Sequence, residues 1–177
     1  MEPAMIDVQL REEDVVAASR AHFRLQLTNP VFLIVFGLMI LILGAGIIIE
    51  LAAGRLDLFL SGALAFIVLM LALLWFWTVP RTARRAFRQQ AGLRYPTSYE
   101  WDEAQFRVRS QAGESRLSWD DIFAWHATPD MILIYLSGNL YHLVPARVFP
   151  SADERAVLEG LLAGHGVPTR RAGGRKS

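Results

Sequence analysis

Asp120 and Asp121 stand side by side after Ser118 and Trp119, with His126 close behind them and His142 further along. Paired carboxylates can pass a proton or hold a cation, and imidazoles brought together can ligate a metal. Each pattern also has a plainer reading. Ser118 with Asp121 three residues on has the spacing of a capping box for one helical turn, and adjacent carboxylates need not converge on one point. Trp119 then fills space beside that turn, with Phe123 and Trp125 alternating on one strand face. Two histidines without a third ligand at a metal-binding spacing do not specify zinc. Ser118, His126 and Asp130 form a triad only on paper, because no nucleophile elbow, phosphate-binding glycine loop or HExxH motif accompanies them. No catalytic, cofactor-binding or metal-binding residue is assigned. An enzyme at a membrane face would need Asp120, Asp121, His126 and His142 to cluster in one cleft.

The residues suited to anion recognition are arginines. Arg81, Arg84, Arg85 and Arg88, in the stretch RTARRAFRQQAG, lie three or four apart and so share one face of a helix. Anionic headgroups favour such a face by about 1 kcal/mol per charge, although the same residues also serve as ordinary topology determinants. Arg107 and Arg109 share a strand face and lie one strand away from Arg116. They can make a patch for lipid headgroups or an acidic peptide, or simply a solvated sheet face.

The elements that must carry these residues follow from composition. The chain has 177 residues, 53% of them apolar, with 18 Lys+Arg against 17 Asp+Glu, and its mean hydropathy is +0.29. It has no cysteine, which excludes disulfides, thiolate zinc sites, iron–sulfur clusters and cysteine nucleophiles. The balanced charge argues against a nucleic-acid partner.

The apolar residues are concentrated in two blocks. Residues 31–49 (VFLIVFGLMILILGAGIII) carry no charge or amide and make about 28 Å of helix, against a hydrocarbon core of about 30 Å. Residues 58–79 form a second block whose only side-chain polar atoms, outside the indoles, are the hydroxyls of Ser61 and Thr78. Residues 50–57 (ELAAGRLD) link them, with Gly54 as the turn, so the two spans form a hairpin and both termini share one side. The first block follows thirty residues of polar sequence and is too long for a signal-peptide h-region.

Arg20 and Arg24 precede the first span, and Arg81, Arg84, Arg85, Arg88 and Arg94 follow the second, whereas the loop holds only Arg55. The positive-inside rule therefore predicts cytoplasmic termini, with Trp75, Phe76 and Trp77 as an aromatic belt. Neither span has an ionisable residue, so a transporter or channel is disfavoured. Gly37, Gly44, Gly46 and Gly62 permit close packing of the hairpin, on itself or on a partner.

Outside the spans, residues 1–30 read as a strand at Ile6 to Leu10 and an amphipathic helix from Glu12 to Leu27. That helix leads into the membrane or covers part of the C-terminal domain. Residues 80–94 read as a basic juxtamembrane helix. Residues 95–166 alternate in short runs with explicit turns, predicting strands at 97–101, 105–110, 115–117, 122–128, 131–136 and 140–144. A final helix follows, with Ser151 as N-cap, Glu154 as its capping-box partner and Gly164 at its close. Residues 167–177 are predicted to be a disordered basic tail. The fold class is thus an α+β membrane protein, a two-helix hairpin plus a small antiparallel β half-barrel with a C-terminal helix, in pleckstrin-homology-like element order.

Four features together resemble the YcxB-like family of bacterial membrane proteins. They are the segment IDVQLREEDVVAASRA, the two-span hairpin, the turn Trp119-Asp120-Asp121-Ile122, and the segment Leu143-Val144-Pro145-Ala146-Arg147-Val148-Phe149 before the last helix. Arg147 keeps the charge where the commonest version of that segment is lysine-rich. The resemblance implies a two-span inner-membrane protein with a cytoplasmic YcxB-like domain, and it brings no catalytic residues. The expectation is a non-enzymatic bacterial inner-membrane protein, without cofactor, whose domain binds a partner protein, a second copy of itself or the anionic bilayer surface. The candidate contacts are Arg81, Arg84, Arg85, Arg88, Arg107, Arg109 and Arg116. The alternative is a membrane immunity or accessory subunit whose transmembrane helices recognise a partner.

Overall fold

A computed structural model describes residues 4–54 and 58–170, apart from the side chains of Leu58 and Leu60. Strand β1 (Ala4–Val8) leads into helix α1 (Glu12–Leu27), and α2 (Pro30–Ala52) follows. Helix α3 (Leu58–Leu73) runs through a π-helical turn (Leu74–Thr78) into α4 (Val79–Gln89). Six strands come next: β2 (Thr97–Trp101), β3 (Gln105–Ser110), β4 (Gly113–Ser118), β5 (Ala124–Thr128), β6 (Met131–Tyr135) and β7 (Tyr141–Pro145). Helix α5 (Ala152–Gly164) closes the order.

The strands form two antiparallel sheets, β1-β2-β3-β4 and β5-β6-β7. The N-terminal strand pairs Ala4 with Trp101 and Val8 with Thr97 across the whole hairpin, so β1 is a strand of the same sheet as β2 to β4. Alternation explains the four-stranded sheet: Ile6, Val8, Tyr99, Trp101, Phe106 and Val108 point inward, while Ser98, Glu100, Arg107 and Arg109 point outward.

Strand β6 (MILIY) does not alternate, because both of its faces are covered. Ile132 and Ile134 pack with Val144 against Trp101, Phe106 and the α5 residues Leu158 and Leu162. Met131, Leu133 and Tyr135 pack with Leu143 against Val15, Ala18, Leu25 and Ala83 of α1 and α4. A run that is apolar at every position is what a doubly covered strand requires.

The two long helices are largely apolar, apart from Glu50 in α2 and the arginines of α4. Pro30–Ala52 and Ser61–Gln89 each have the length and composition to cross a membrane, and their most apolar windows have no buried residue. Asn29 caps α2 by accepting from the Val31 N–H at 3.0 Å, with Pro30 at the first helical position, where its missing N–H costs nothing. The second block does not stop at residue 79, because the helix continues into the basic segment. Pro80 cannot donate a hydrogen bond, and its ring would press on the carbonyl four residues back. The chain accommodates it with the π turn, in which the Val79 N–H donates to the Leu74 carbonyl five residues earlier. In the linking loop, Glu50 to Ala52 belong to α2, while Arg55 to Asp57 lie outside the described residues.

Helix α5 ends at Gly164, as expected, but its stop motif is centred two residues on. Gly166, not Gly164, takes the left-handed conformation (φ +71°), with Gly166 N–H donating to Ala163 O and Val167 N–H to Leu162 O, both at 3.0 Å. This is a Schellman stop, and its apolar anchor Val167 is buried. It turns residues 167–170 onto β5, where Thr169 forms a parallel bridge with Trp125. The expectation of disorder is therefore overturned for residues 167–170, and residues 171–177 lie outside the described residues.

Candidate membrane-surface interface

Helices α1 and α4 run antiparallel from the domain to the apolar hairpin. At the hairpin end, Phe23 and Trp75 rings lie 6.1 Å apart, Arg24 lies 5.5 Å from the Trp75 ring centroid, and Arg81 lies 3.3 Å above Trp77. These contacts form a collar of aromatic rings and guanidinium groups where composition changes from apolar to basic.

Beyond the collar, Arg81, Arg84, Arg85, Arg88 and Gln89 line one shallow depression of about 340 Å³. The structure thus brings the four predicted helix arginines together. Glu12, at the start of α1, reaches two of them, pairing with Arg84 and Arg88 at 3.4 Å each. Arg85 is exposed and has no ion pair among the described residues, and Arg20 is likewise exposed on α1. Four cations against one nearby carboxylate leave the depression positive.

Arg107, Arg109 and Arg116 also share a face, the outer face of the four-stranded sheet, but in a different setting. Arg107 pairs with Glu100 at 3.7 Å and Asp102 at 3.4 Å, and Arg109 with Glu100 at 3.2 Å and Glu114 at 3.7 Å. Arg116 pairs with Glu114 at 2.8 Å, and this neighbour holds the Glu114 carboxyl below the usual carboxylate range. The acids that match these arginines sit on β2, on β4 and in the turn after β2, beside β3, so the face is a lattice of ion pairs.

The acids and histidines singled out in the sequence do not meet. Asp120 and Asp121 are exposed on a 3-10 turn, and Ser118 makes no capping bond there, contrary to the capping-box spacing. What holds that turn is Trp119, which is buried and donates its indole N–H to the Asp102 carbonyl at 3.2 Å. Phe123 and Trp125 do not share an environment either, being 40% and 8% exposed. His126 aligns with Leu133 and Leu143 across the sheet, whereas His142 aligns with Ile134 and Trp125. The two imidazoles are therefore on opposite faces and cannot hold one ion. His126 Nδ1 lies 2.6 Å from the Arg170 carbonyl, while the His142 ring sits against Tyr99 and Phe106.

One polar cluster is not evident from sequence spacing. His22 Nδ1 lies 3.1 Å from the Tyr135 hydroxyl, and Gln26 Nε2 lies 3.0 Å from His22 Nε2. Arg170 lies 4.5 Å over the Tyr135 ring and donates to the Gly138 carbonyl at 2.9 Å. Burial, aided by the Arg170 charge, lowers the His22 pKa, and burial pushes the Tyr135 hydroxyl up to about 12. The cluster ties α1, the β6–β7 turn and the docked C-terminal segment together. Its parts are distant in sequence, so only the fold shows it.

Residues 101–162 match the family described as YcxB-like protein, so the chain carries a YcxB-like domain there, in line with the resemblance read from its motifs. The match spans the end of β2 to α5 and leaves out β1, which completes the four-stranded sheet. Neither a curated protein nor a solved structure matches the chain.

Proposed function

We propose that this chain is a non-enzymatic bacterial inner-membrane protein that displays its YcxB-like domain at the cytoplasmic face for protein or membrane-surface interaction. In this reading α2 and the α3–α4 helix cross the bilayer as a hairpin with both termini cytoplasmic. The domain, four strands and three strands closed by a C-terminal helix, is of the pleckstrin-homology-like kind. The α1–α4 stalk holds it against the membrane, with the α4 arginines on anionic headgroups.

The observation that carries the reading is the collar of Arg24, Trp75, Trp77 and Arg81. It lies between an apolar hairpin with no buried residue in α2 and a depression lined by four arginines. Exposing so many Leu, Ile and Phe side chains to water costs roughly 25 cal/mol per Å², whereas lipid removes that cost and the boundary favours Trp and Arg.

The absence of cysteine makes a direct test simple. Single cysteines are introduced at Ala53→Cys in the interhelical turn and at Ser137→Cys in the β6–β7 turn, both exposed. A membrane-impermeant maleimide should label the first in intact spheroplasts and the second only after lysis. Labelling of Ser137→Cys from outside, or protection of both sites until lysis, would overturn the topology.

A further inference from the structure

The three-stranded sheet has two edges, and among the described residues only one is closed by the chain itself. At β5, the Trp125 N–H donates to the Pro168 carbonyl at 2.9 Å and the Arg170 N–H donates to the Trp125 carbonyl at 2.7 Å. The Trp125 indole N–H also donates to the Val167 carbonyl at 3.2 Å. Residues 167–170 therefore occupy that edge.

At β7 the edge has no strand partner among the described residues. The Ala146 N–H donates to Asp130 O at 2.7 Å and the Leu136 N–H to Leu140 O at 2.8 Å, which fixes the alternation of the β6–β7 ladder. Ile132 with Val144 and Ile134 with His142 are then the hydrogen-bonded pairs, and residues 141, 143 and 145 turn their backbone groups away from β6. Pro145 has no N–H, as suits an edge position. The Leu143 carbonyl already accepts from the Tyr99 hydroxyl at 3.3 Å. The N–H groups of Tyr141 and Leu143 and the carbonyl of Tyr141 are left facing outward.

They face a cleft of about 490 Å³ between the α1–α4 stalk and the inner side of β2 and β3. Its lining includes Ala18, Ala86, Tyr99, Val108, Asn139 and His142, and contains no Asp, Glu, Lys or Arg. A charged occupant would lose hydration there without meeting an opposite charge among the described residues. An extended uncharged segment would gain two backbone donors and an acceptor at strand spacing, with apolar wall at Val15, Ala18, Ala86 and Val108 and neutral polar groups at Gln90 and Ser110.

We infer that this cleft binds an extended, uncharged, apolar segment of a partner protein, which adds to β7 as a further strand. The chain's own end does not fit, because residues 171–177 (RAGGRKS) are basic. A second copy's β7 does not fit either, since it is walled by its own stalk and its own β2–β3 face. The inference goes beyond the proposed headgroup contact and does not depend on it, and the cysteine-labelling result has no bearing on its outcome.

The test uses the full chain in lipid nanodiscs and a pool of short, end-blocked, dye-tagged peptides of alternating Val, Leu, Thr and Tyr. Fluorescence anisotropy should show saturable binding for members of the pool. N-methylation of alternate amides in the best binder should weaken it about tenfold, the value of one or two lost hydrogen bonds. Ala86→Trp, which fills the cleft from α4, should weaken it at least as much; Ser110→Trp fills it from β3 and replaces the first variant if that one unfolds. Binding by no member of the pool overturns the inference. So does equal binding of the N-methylated peptide, which would make the site an apolar pocket for a lipid chain. Equal binding to a folded, cleft-filled variant places the contact elsewhere and also overturns it.

Discussion

Arg147 and Asp14 are joined by a short charge-assisted hydrogen bond across a sequence separation of 133 residues. The same guanidinium donates to the Gln9 carbonyl at 3.0 Å, and the same carboxylate accepts the Arg11 N–H at 2.8 Å, inside the first turn of α1. One side chain in the segment before α5 thus clamps the start of the stalk to the domain. This gives a structural role to the charge in the Pro-x-Arg segment.

The first prediction follows from that clamp. Arg147→Met should destabilise the domain by about 1–2 kcal/mol, between the value of an exposed ion pair and that of a buried charged hydrogen bond, because Arg147 is only partly covered. Arg147→Lys, which keeps the charge but not the planar guanidinium that carries Nη2 to both acceptors, should recover part of the loss. Denaturant or thermal unfolding in detergent, followed by near-ultraviolet circular dichroism, reads both. Wild-type stability in Arg147→Met would remove the clamp.

The second prediction separates two tryptophans of equal burial, each 2% exposed. Trp119 donates its indole N–H to Asp102 O, whereas the Trp101 Nε1 has no hydrogen-bond partner among the described residues. Replacement by Phe removes similar volume from each site, so the volume terms largely cancel. Trp119→Phe should then cost about 1 kcal/mol more than Trp101→Phe, since only the former loses a made hydrogen bond and only the latter removes an unpaired buried donor. The two unfolding midpoints, compared directly, check the sign.

Much of this architecture is written locally in the chain. The bounds of β2 and β3 follow from alternation, because Tyr99, Trp101, Phe106 and Val108 face the core and their neighbours face water. Those of α1 follow from Glu12, Glu13 and Asp14 in its first turn. What is not local is not legible. Nothing near Ala4–Val8 reveals that its partner lies beyond two apolar helices, and nothing near Arg107 says that Glu100 and Glu114 will stand on the flanking strands. The docking of residues 167–170 did leave a signal, Gly166 followed by Val167 and Pro168, which is the pattern of a Schellman stop with an apolar anchor. The basic, glycine-rich residues after it obscure that pattern.

The third prediction concerns pH. Burial lowers the pKa of His22, His126 and His142, and at His142 it is the sole cause. The unfolded chain therefore binds more protons than the folded one once pH falls below about 6.5, the ordinary histidine value. Stability is fully present above that value and declines as pH falls toward the lower folded pKa values. Melting temperature should be flat from pH 8 to 7 and fall between about 6.5 and 5. His142→Phe, which keeps a ring against Tyr99 and Phe106, should make the fall shallower. An unchanged slope would show that His142 does not contribute to it.

The last prediction distinguishes arginines that hold the stalk from those proposed to contact headgroups. Arg84 and Arg88 share Glu12, so each spends part of its charge within the protein, whereas Arg85 lines the same depression with no such partner. In nanodiscs, replacing part of a neutral lipid by an anionic one should raise the melting temperature of the wild type, and added salt should reverse the gain. Arg85→Gln should reduce that lipid-dependent gain by about 1 kcal/mol while leaving stability in neutral lipid unchanged. Arg84→Gln should reduce it less and also lower stability slightly in neutral lipid, through the lost pair with Glu12. Glu12→Gln should do the opposite to the lipid term: it frees two guanidinium groups and increases the anionic-lipid gain, even as the stalk loses a contact. If all three variants respond to anionic lipid as the wild type does, the depression does not touch headgroups, and the four arginines serve only to set topology.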